Sequence, residues 1–461
     1  MERKTLWEIY KPEQFEQMEQ VASWYKNCMS TAKTERECVN ISIEMAKEAG
    51  YLSLADCIRE GKELKAGDKV YAVYNNKTAI LYHLGEEPLE NGMNILGAHI
   101  DSPRLDIKQN PLYENQGLAY LDTHYYGGIK KYQWVTIPLA LHGIIVRKDG
   151  STITVNIGEK DSDPVFTITD LLIHLSGRQM EKNATKVIEG EDLDLLIGSI
   201  PLNTEEKETV KANILKYLLE TYQMEEEDFL SAELEVVPAG KARDMGFDRS
   251  MILAYGQDDR ICAFTSLRAI LDLTETPKRT ACCLLVDKEE IGSVGASGLQ
   301  SRFFENMTAE LLALCGYPSN VSVRRTLQNS KMLSSDVSAG YDPLYPEAFE
   351  AKNAAFLGKG PVFNKYTGAR GKSSCNDANA EYIASIRKVM ADNQVQFQTA
   401  ELGKVDFGGG GTIAWIMAKL GMEVIDCGIA VLSMHAPMEV SSKADIYEAV
   451  RAYHAFLKDM Q

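Results

Sequence analysis

No CxxC pair, no uninterrupted apolar run of about 18 residues and no excess of positive charge occur in this 461-residue chain. The nine cysteines (Cys28, Cys38, Cys57, Cys262, Cys282, Cys283, Cys315, Cys375, Cys427) are odd in number and irregularly spaced, so they read as free thiols of a reducing compartment. Basic residues number 49 against 66 acidic ones, a formal net charge of −17. Nucleic acid and anionic membrane are therefore not expected partners, because their phosphates would be repelled overall. The opening stretch MERKTLWEIYKPEQFEQ is charged throughout and lacks the apolar core of a signal peptide, so a cytoplasmic location is expected. Repeats and low-complexity tracts are missing too, and with 45% hydrophobic and 25% charged residues the composition is that of a folded protein with room for two domains.

What the chain does have is an α/β rhythm. Residues 13–61 carry Glu, Lys, Met and Ala at helical spacing, and KVYAVYNNKTAILYHLG (69–85) reads as two β runs around an Asn-Asn turn. From about 117 to 245 the pattern changes to alternating Tyr- and Thr-rich segments, followed by the acidic helical stretch NTEEKETVKANILKYLLETYQMEEEDFL. That region is expected to be a separate, β-rich insertion. Beyond it the alternation resumes: DRICAFTSLRAILDL as a helix, TACCLLVD as a strand, AEYIASIRKVMADN as a helix, and TIAWIMAKLG leading to the strand MEVIDCGI.

Polar residues gather where buried strands end or helices begin. They are His99 and Asp101 after NILGA, Asp258 and Asp259, Glu289 and Glu290 after CCLLVD, Asp336 in MLSSDVSAG, and His435 in LSMHAPMEV. In an open α/β sheet the strand ends of one edge converge on the ligand crevice. Two imidazoles and several carboxylates are nitrogen and oxygen donors suited to zinc or manganese, and a shared carboxylate could bridge two metals about 3.5–4 Å apart. Taken singly, each feature has a plainer reading. His435 could be a structural histidine, the glutamates a surface turn, and Asp259 the cap of the helix that follows. It is their conjunction at strand ends that favours ligation. In extended backbone successive side chains point to opposite sides, so Glu289 and Glu290 should do different jobs, in either order. The run VDFGGGGTIAWIMAKLG (405–421) has no Lys followed by Ser or Thr, so it is no P-loop. Its glycines let backbone approach a ligand closely, with Thr412 opening the helix; a merely flexible turn is the alternative.

GAHIDSPRLDIK, DDR, DKEEIGSVG, SSDVSAG, GGGGTIA and SMHAPMEV, in that order, resemble the M18 family of metallo-aminopeptidases, the aminopeptidase I and aspartyl aminopeptidase group, over nearly the whole chain. The resemblance implies an α/β/α catalytic domain of zinc-peptidase type with a mixed central sheet, built from 1–104 and 246–461, and an inserted β-rich dimerisation domain at 105–245. It further implies His99 as a ligand of one metal, Asp101 as the carboxylate that orients its imidazole, and Asp258 as the bridging carboxylate. Glu289 would be the general base, Glu290 and Asp336 ligands, and His435 a ligand of the second metal. His174, in DLLIHLSGRQM, matches a histidine that reaches the neighbouring subunit's substrate site, with dimers assembling into a dodecamer. Two divalent ions are implied, zinc or else manganese or cobalt. The expected activity is removal of single N-terminal residues from peptides. The alternative is another binuclear amidohydrolase on the same scaffold, deacetylase- or carboxypeptidase-like. Asp258-Asp259-Arg260 is closer to the M42 aminopeptidases, and segment 365–382, with Lys365, Arg370 and Lys372, departs from the aspartyl aminopeptidase pattern. The preferred N-terminal residue is therefore open between acidic and neutral or apolar.

Overall fold

Nine strands form the central sheet: β1 (Leu52–Ser53), β2 (Lys69–Tyr74), β3 (Thr78–His83), β4 (Met93–His99), β5 (Thr280–Val286), β6 (Lys331–Ser334), β7 (Val362–Asn364), β8 (Gln398–Thr399) and β9 (Glu423–Gly428). Their order across the sheet is β1-β2-β3-β5-β4-β6-β9-β7-β8. The computed structural model describes residues 4–203 and 207–461; the first three residues of the charged opening stretch, and 204–206 of the acidic helical stretch, lie outside the described residues. Asn75 and Asn76 turn β2 into β3 with φ of 52° and 53°, the left-handed pair that a tight hairpin turn needs.

The interior strands are buried on both faces, which explains their continuous apolar runs. In β5, Ala281, Cys283 and Leu285 enter one core, while Cys282, Leu284 and Val286 enter the other. The first core is closed by helices Pro12–Thr31, Glu35–Glu48, Gln257–Leu271, Ala380–Asp392 and Lys443–Asp459, through residues such as Tyr25, Val39, Ile261, Ile386 and Phe456. The second is closed by Leu54–Glu60, Phe303–Leu314, Asn320–Asn329 and Ala414–Ala418, through Leu54, Phe303, Leu327 and Met417. The result is an α/β/α sandwich with a mixed sheet, the architecture that the family resemblance implies; the alternation by itself indicates an α/β sheet. All nine cysteines are free, and Cys282 and Cys283 face opposite cores. Among the described residues no helix is long and apolar enough to cross a membrane.

The central strand β4 pairs in parallel with both β5 and β6, with Val286 opposite His99 and Ser334 opposite Gly97. All three carboxyl ends therefore open on one edge. Asp336, two residues past Ser334, comes level with His99, and Glu289 lies three residues past Val286.

The chain divides into two compact units. One comprises the chain up to Asp101, Ala242–Met434 and Glu439–Gln461; the other is Ser102–Lys241 with His435–Met438. The second unit is built on a six-stranded sheet, in the order Thr152–Ile157, Leu139–Val146, Ala232–Pro238, Arg104–Asn115, Leu118–Tyr126, Leu195–Gly198, with every pairing antiparallel. Helix Thr209–Tyr222 accompanies it.

Gly428 ends β9 against the backbone of Asp336, where an added Cβ would lie 1.7 Å from the Asp336 carbonyl oxygen. Gly428→Ala should therefore lower stability by about 1–3 kcal/mol through overpacking. Urea unfolding measures it, and an unchanged midpoint would contradict this packing.

Candidate metal centre

His99 closes β4 and is 1% exposed. Its Nδ1 lies 3.0 Å from the Asp101 carbonyl oxygen and 3.3 Å from Asp101 Oδ1. With Nδ1–H donated to Asp101, Nε2 carries the lone pair, the tautomer a ligand needs. Nε2 points at Asp258 Oδ1, 3.3 Å away, with Glu289 Oε2 at 3.9 Å.

Asp258 sits where the chain enters helix Gln257–Leu271, at φ −80° and ψ 109°, and the Asp258–Asp259 peptide is cis. Its setting is wired from both sides. The Asp258 N–H donates to Glu439 Oε2 at 3.0 Å, and Gln257 Nε2 donates to the carbonyls of Glu439 and Ile252. Tyr25 and Ser441 hydroxyls in turn donate to Gln257 Oε1. Arg260, fully buried, donates to the carbonyls of Gly256, Ala32 and Tyr255 and so clamps the turn ahead of Asp258. Asp259 does not take the plainer role of helix cap; its Oδ2 accepts the backbone N–H of His99 at 3.3 Å, which ties the helix start to β4.

The glutamates depart from expectation. They occupy a 3-10 turn, Glu289–Ile291, after Lys288 at φ 69°, rather than extended backbone. The cause is Asp101, whose Oδ1 and Oδ2 accept the N–H groups of Glu289 and Glu290 at 3.1 Å each and fold the chain as it leaves β5. With about three residues per turn, the two side chains still diverge. Behind them, buried Asp287 accepts a hydrogen bond from Ser297 Oγ at 2.5 Å, and the Thr78 hydroxyl donates to the Ser297 carbonyl.

Ligand atoms of His99, Asp258 and Asp336 all lie within 4.8 Å of one another. Burial and the neighbouring carboxylates of Asp259, Glu289 and Asp258 push the Asp336 carboxyl well above the usual range. Burial and Asp258 do the same to Asp259, whose Oδ1 is buried with no hydrogen-bond partner. Burial alone would depress His99, yet the Asp101 and Asp258 carboxylates outweigh it and hold the ring well above its ordinary value. Clustered carboxylates of this kind cannot all ionise without a cation among them. The donor set is nitrogen and oxygen, and donors about 2.0–2.1 Å from a tetrahedral zinc sit roughly 3.3–3.5 Å apart, which the 3.3 Å between His99 Nε2 and Asp258 Oδ1 matches. The residues present fit a divalent cation.

Two expected site residues belong to the second unit. His435 has φ 64° and is half-buried, with Nδ1 2.9 Å from the Gly128 carbonyl oxygen. His174 is exposed on a turn beside Leu172, Ile173 and Leu175, which are 53%, 71% and 68% exposed. Residues that sequence reasoning passed over are Gln257, Glu439, Asp287 and Ser297. Glu439 lies inside SMHAPMEV, four residues after His435, and a glutamate entering a β run was the available signal.

A three-layer α/β sandwich with this donor set at its parallel-strand edge is the fold of a zinc peptidase. The family described as Aminopeptidase I zinc metalloprotease (M18) matches residues 28–457. The chain belongs to that family: it is a metal-dependent aminopeptidase, a peptide hydrolase. It is 59% identical to a probable M18 family aminopeptidase 1 of Clostridium acetobutylicum, over 99% of this chain and 98% of the relative. The crystal structure of an M18 family aminopeptidase from Thermotoga maritima superposes with a TM-score of 0.94 at 45% identity, covering 99% of each chain. A dodecameric structure from Saccharomyces cerevisiae, 19% identical over 95% of this chain and 97% of the other with a TM-score of 0.78, has the same fold.

Because burial and neighbouring charges make His99, Asp259 and Asp336 hold protons more tightly than usual, metal uptake should release protons and metal affinity should rise with pH. Titrating Zn²⁺ into the apo protein in two buffers of different ionisation enthalpy measures this. Affinity independent of pH from 6 to 8 would contradict it.

Proposed function

We propose that the chain binds two divalent cations and removes single N-terminal residues from peptides. His99, Asp258 and Asp336 would hold one ion; Asp258, as the shared carboxylate, Glu290 and His435 would hold the other. Zinc suits these donors, with manganese and cobalt as alternatives. When bound, such a pair lends Lewis acidity to the scissile carbonyl and to the attacking water. Glu289 takes the proton from that water and delivers it to the leaving amine. Asp101 does not touch substrate in this account; it fixes the His99 ring and the backbone of the glutamate turn, so the base and the ligand are positioned together. The observation that carries the reading is the His99 imidazole held by Asp101 on one nitrogen, with Asp258 Oδ1 at 3.3 Å and Glu289 Oε2 at 3.9 Å from the other.

The order of roles at the glutamates follows the motif DKEEIGSVG, with Glu289 as base and Glu290 as ligand. His174 on its exposed apolar turn would complete the substrate site of a neighbouring copy within dimers. Those dimers would form a dodecamer, the assembly described for the S. cerevisiae relative. Nine free cysteines suit a cytoplasmic location.

Glu289→Gln should keep two metals per chain while kcat on aminoacyl p-nitroanilides falls by about 10²–10⁴-fold. Metal analysis and steady-state rates on one preparation test it; near-normal turnover would remove Glu289 as the base. A panel of aminoacyl, N-acetylated and C-terminal peptide substrates separates this reading from a deacetylase or carboxypeptidase on the same scaffold. Hydrolysis confined to substrates with a free α-amine is the expected outcome. His174→Ala should lower activity with the oligomer intact on size-exclusion chromatography, and full activity would make His174 structural only.

A further inference from the structure

The four glycines before Thr412 are not equivalent. A Cβ on Gly408 would lie 2.1 Å from the Leu402 carbonyl oxygen, and Gly409 has φ 133°, so the fold itself demands glycine at both. At Gly411 an added Cβ meets nothing within 4 Å, and its φ is one that other residues adopt. Neither packing nor backbone conformation calls for a bare residue there; a group arriving from outside would.

The next residue is firmly held. The Thr412 hydroxyl donates to Asp426 Oδ1 at 2.7 Å, and Asp426 is 2% exposed on β9, opposite Ser334 of β6. Thr412 Oγ1 also accepts the N–H of Ala414 at 3.4 Å, at the start of helix Ala414–Ala418. Ile413 packs beside Gly97, its Cδ1 3.4 Å from where a Cβ on that residue would lie, a place that Met332 Cε fills at 2.3 Å. Gly97 is two residues before His99, and Ser334 two before Asp336. The glycine run thus ends on the edge of the sheet that carries His99 and Asp336. A buried aspartate on an interior strand is costly unless its hydrogen bonding is satisfied, and the mechanism does not use Asp426.

We infer that Gly411 presents bare backbone to the N-terminal residue of the bound peptide, and that Asp426, through Thr412, is the positioning residue that fixes this backbone. The inference rests on the aminopeptidase reading and adds to it the wall that limits the size of the N-terminal side chain.

Gly411→Ala places a methyl group in open space, so its thermal unfolding and its elution on size-exclusion chromatography should match wild type. KM for leucyl p-nitroanilide should rise about tenfold, and for the alanyl substrate less, with kcat changed by less than about threefold. Thr412→Val, which removes the hydroxyl at nearly constant shape, should raise KM about fivefold, while Thr412→Ser should restore it to within about twofold. Unchanged KM on both substrates for Gly411→Ala overturns the inference, as does loss of assembly in place of affinity. Equal losses in Thr412→Val and Thr412→Ser overturn the role given to Asp426. A wild type that cleaves neither substrate sinks the aminopeptidase reading and this inference with it, whereas an active wild type beside an unaltered Gly411→Ala sinks this inference alone.

Discussion

The Asp101 carboxylate accepts two backbone N–H groups from the far side of β5's exit, those of Glu289 and Glu290. The same residue holds the His99 ring through its carbonyl oxygen. One residue therefore couples two parallel strands at the level where their chemistry lies. Charge-assisted hydrogen bonds of this kind are roughly twice as strong as neutral ones, and here they close a 3-10 turn that would otherwise have no reason to follow a strand. The imidazole tautomer, the direction of Nε2 and the placement of both glutamates all depend on Asp101, the first two through its carbonyl and the last through its carboxylate.

Around this anchor the fold concentrates negative charge against its own electrostatic preference. Asp258, Asp259, Asp336 and Glu289 act on one another, and the carboxyls of Asp259 and Asp336 are driven upward by burial and repulsion. Such an arrangement survives because each member is fixed by groups remote from the charges. Glu439 holds the backbone of Asp258 and is itself held by Gln257, Arg260 clamps the preceding turn, and Asp259 is tied to β4. The scaffold thus holds the donors near one another through contacts remote from their charges, and a bound cation would offset their mutual repulsion. Metal affinity and protonation are in this way two faces of one electrostatic fact.

Much of this was legible in the sequence because its signals are local. TACCLLV is buried on both faces, so its continuous apolar run marks an interior strand, and the polar residues after it mark an exit. The succession of such exits with intervening helices is enough for an α/β sheet, and the ordered motifs add the three-layer sandwich through their family resemblance. What periodicity could not supply is geometry imposed by tertiary hydrogen bonds. Glu289 and Glu290 leave the extended state because Asp101, 188 and 189 residues earlier, accepts their N–H groups. Asp259 forsakes the helix cap for the N–H of His99, 160 residues away. Gln257 and Glu439 looked ordinary because their work is done on backbone atoms of residues distant in the chain. The glycine run was visible as a motif, but only coordinates separate Gly408, required by the Leu402 carbonyl, from Gly411, which faces open space.

We propose that the parallel trio β4, β5 and β6, with Asp101 joining the exits of the first two, is scaffolding for a pair of cations, and the number of ions is the claim on which the mechanism turns. The most direct test is activity against metal equivalents. The fully demetallated protein is titrated with Zn²⁺, bound metal is measured by mass spectrometry, and aminoacyl p-nitroanilide hydrolysis is followed on the same samples. The account predicts no hydrolysis in the apo protein and a rise that breaks at two equivalents per chain. Full activity at one equivalent, or activity that survives complete removal of metal, would contradict it.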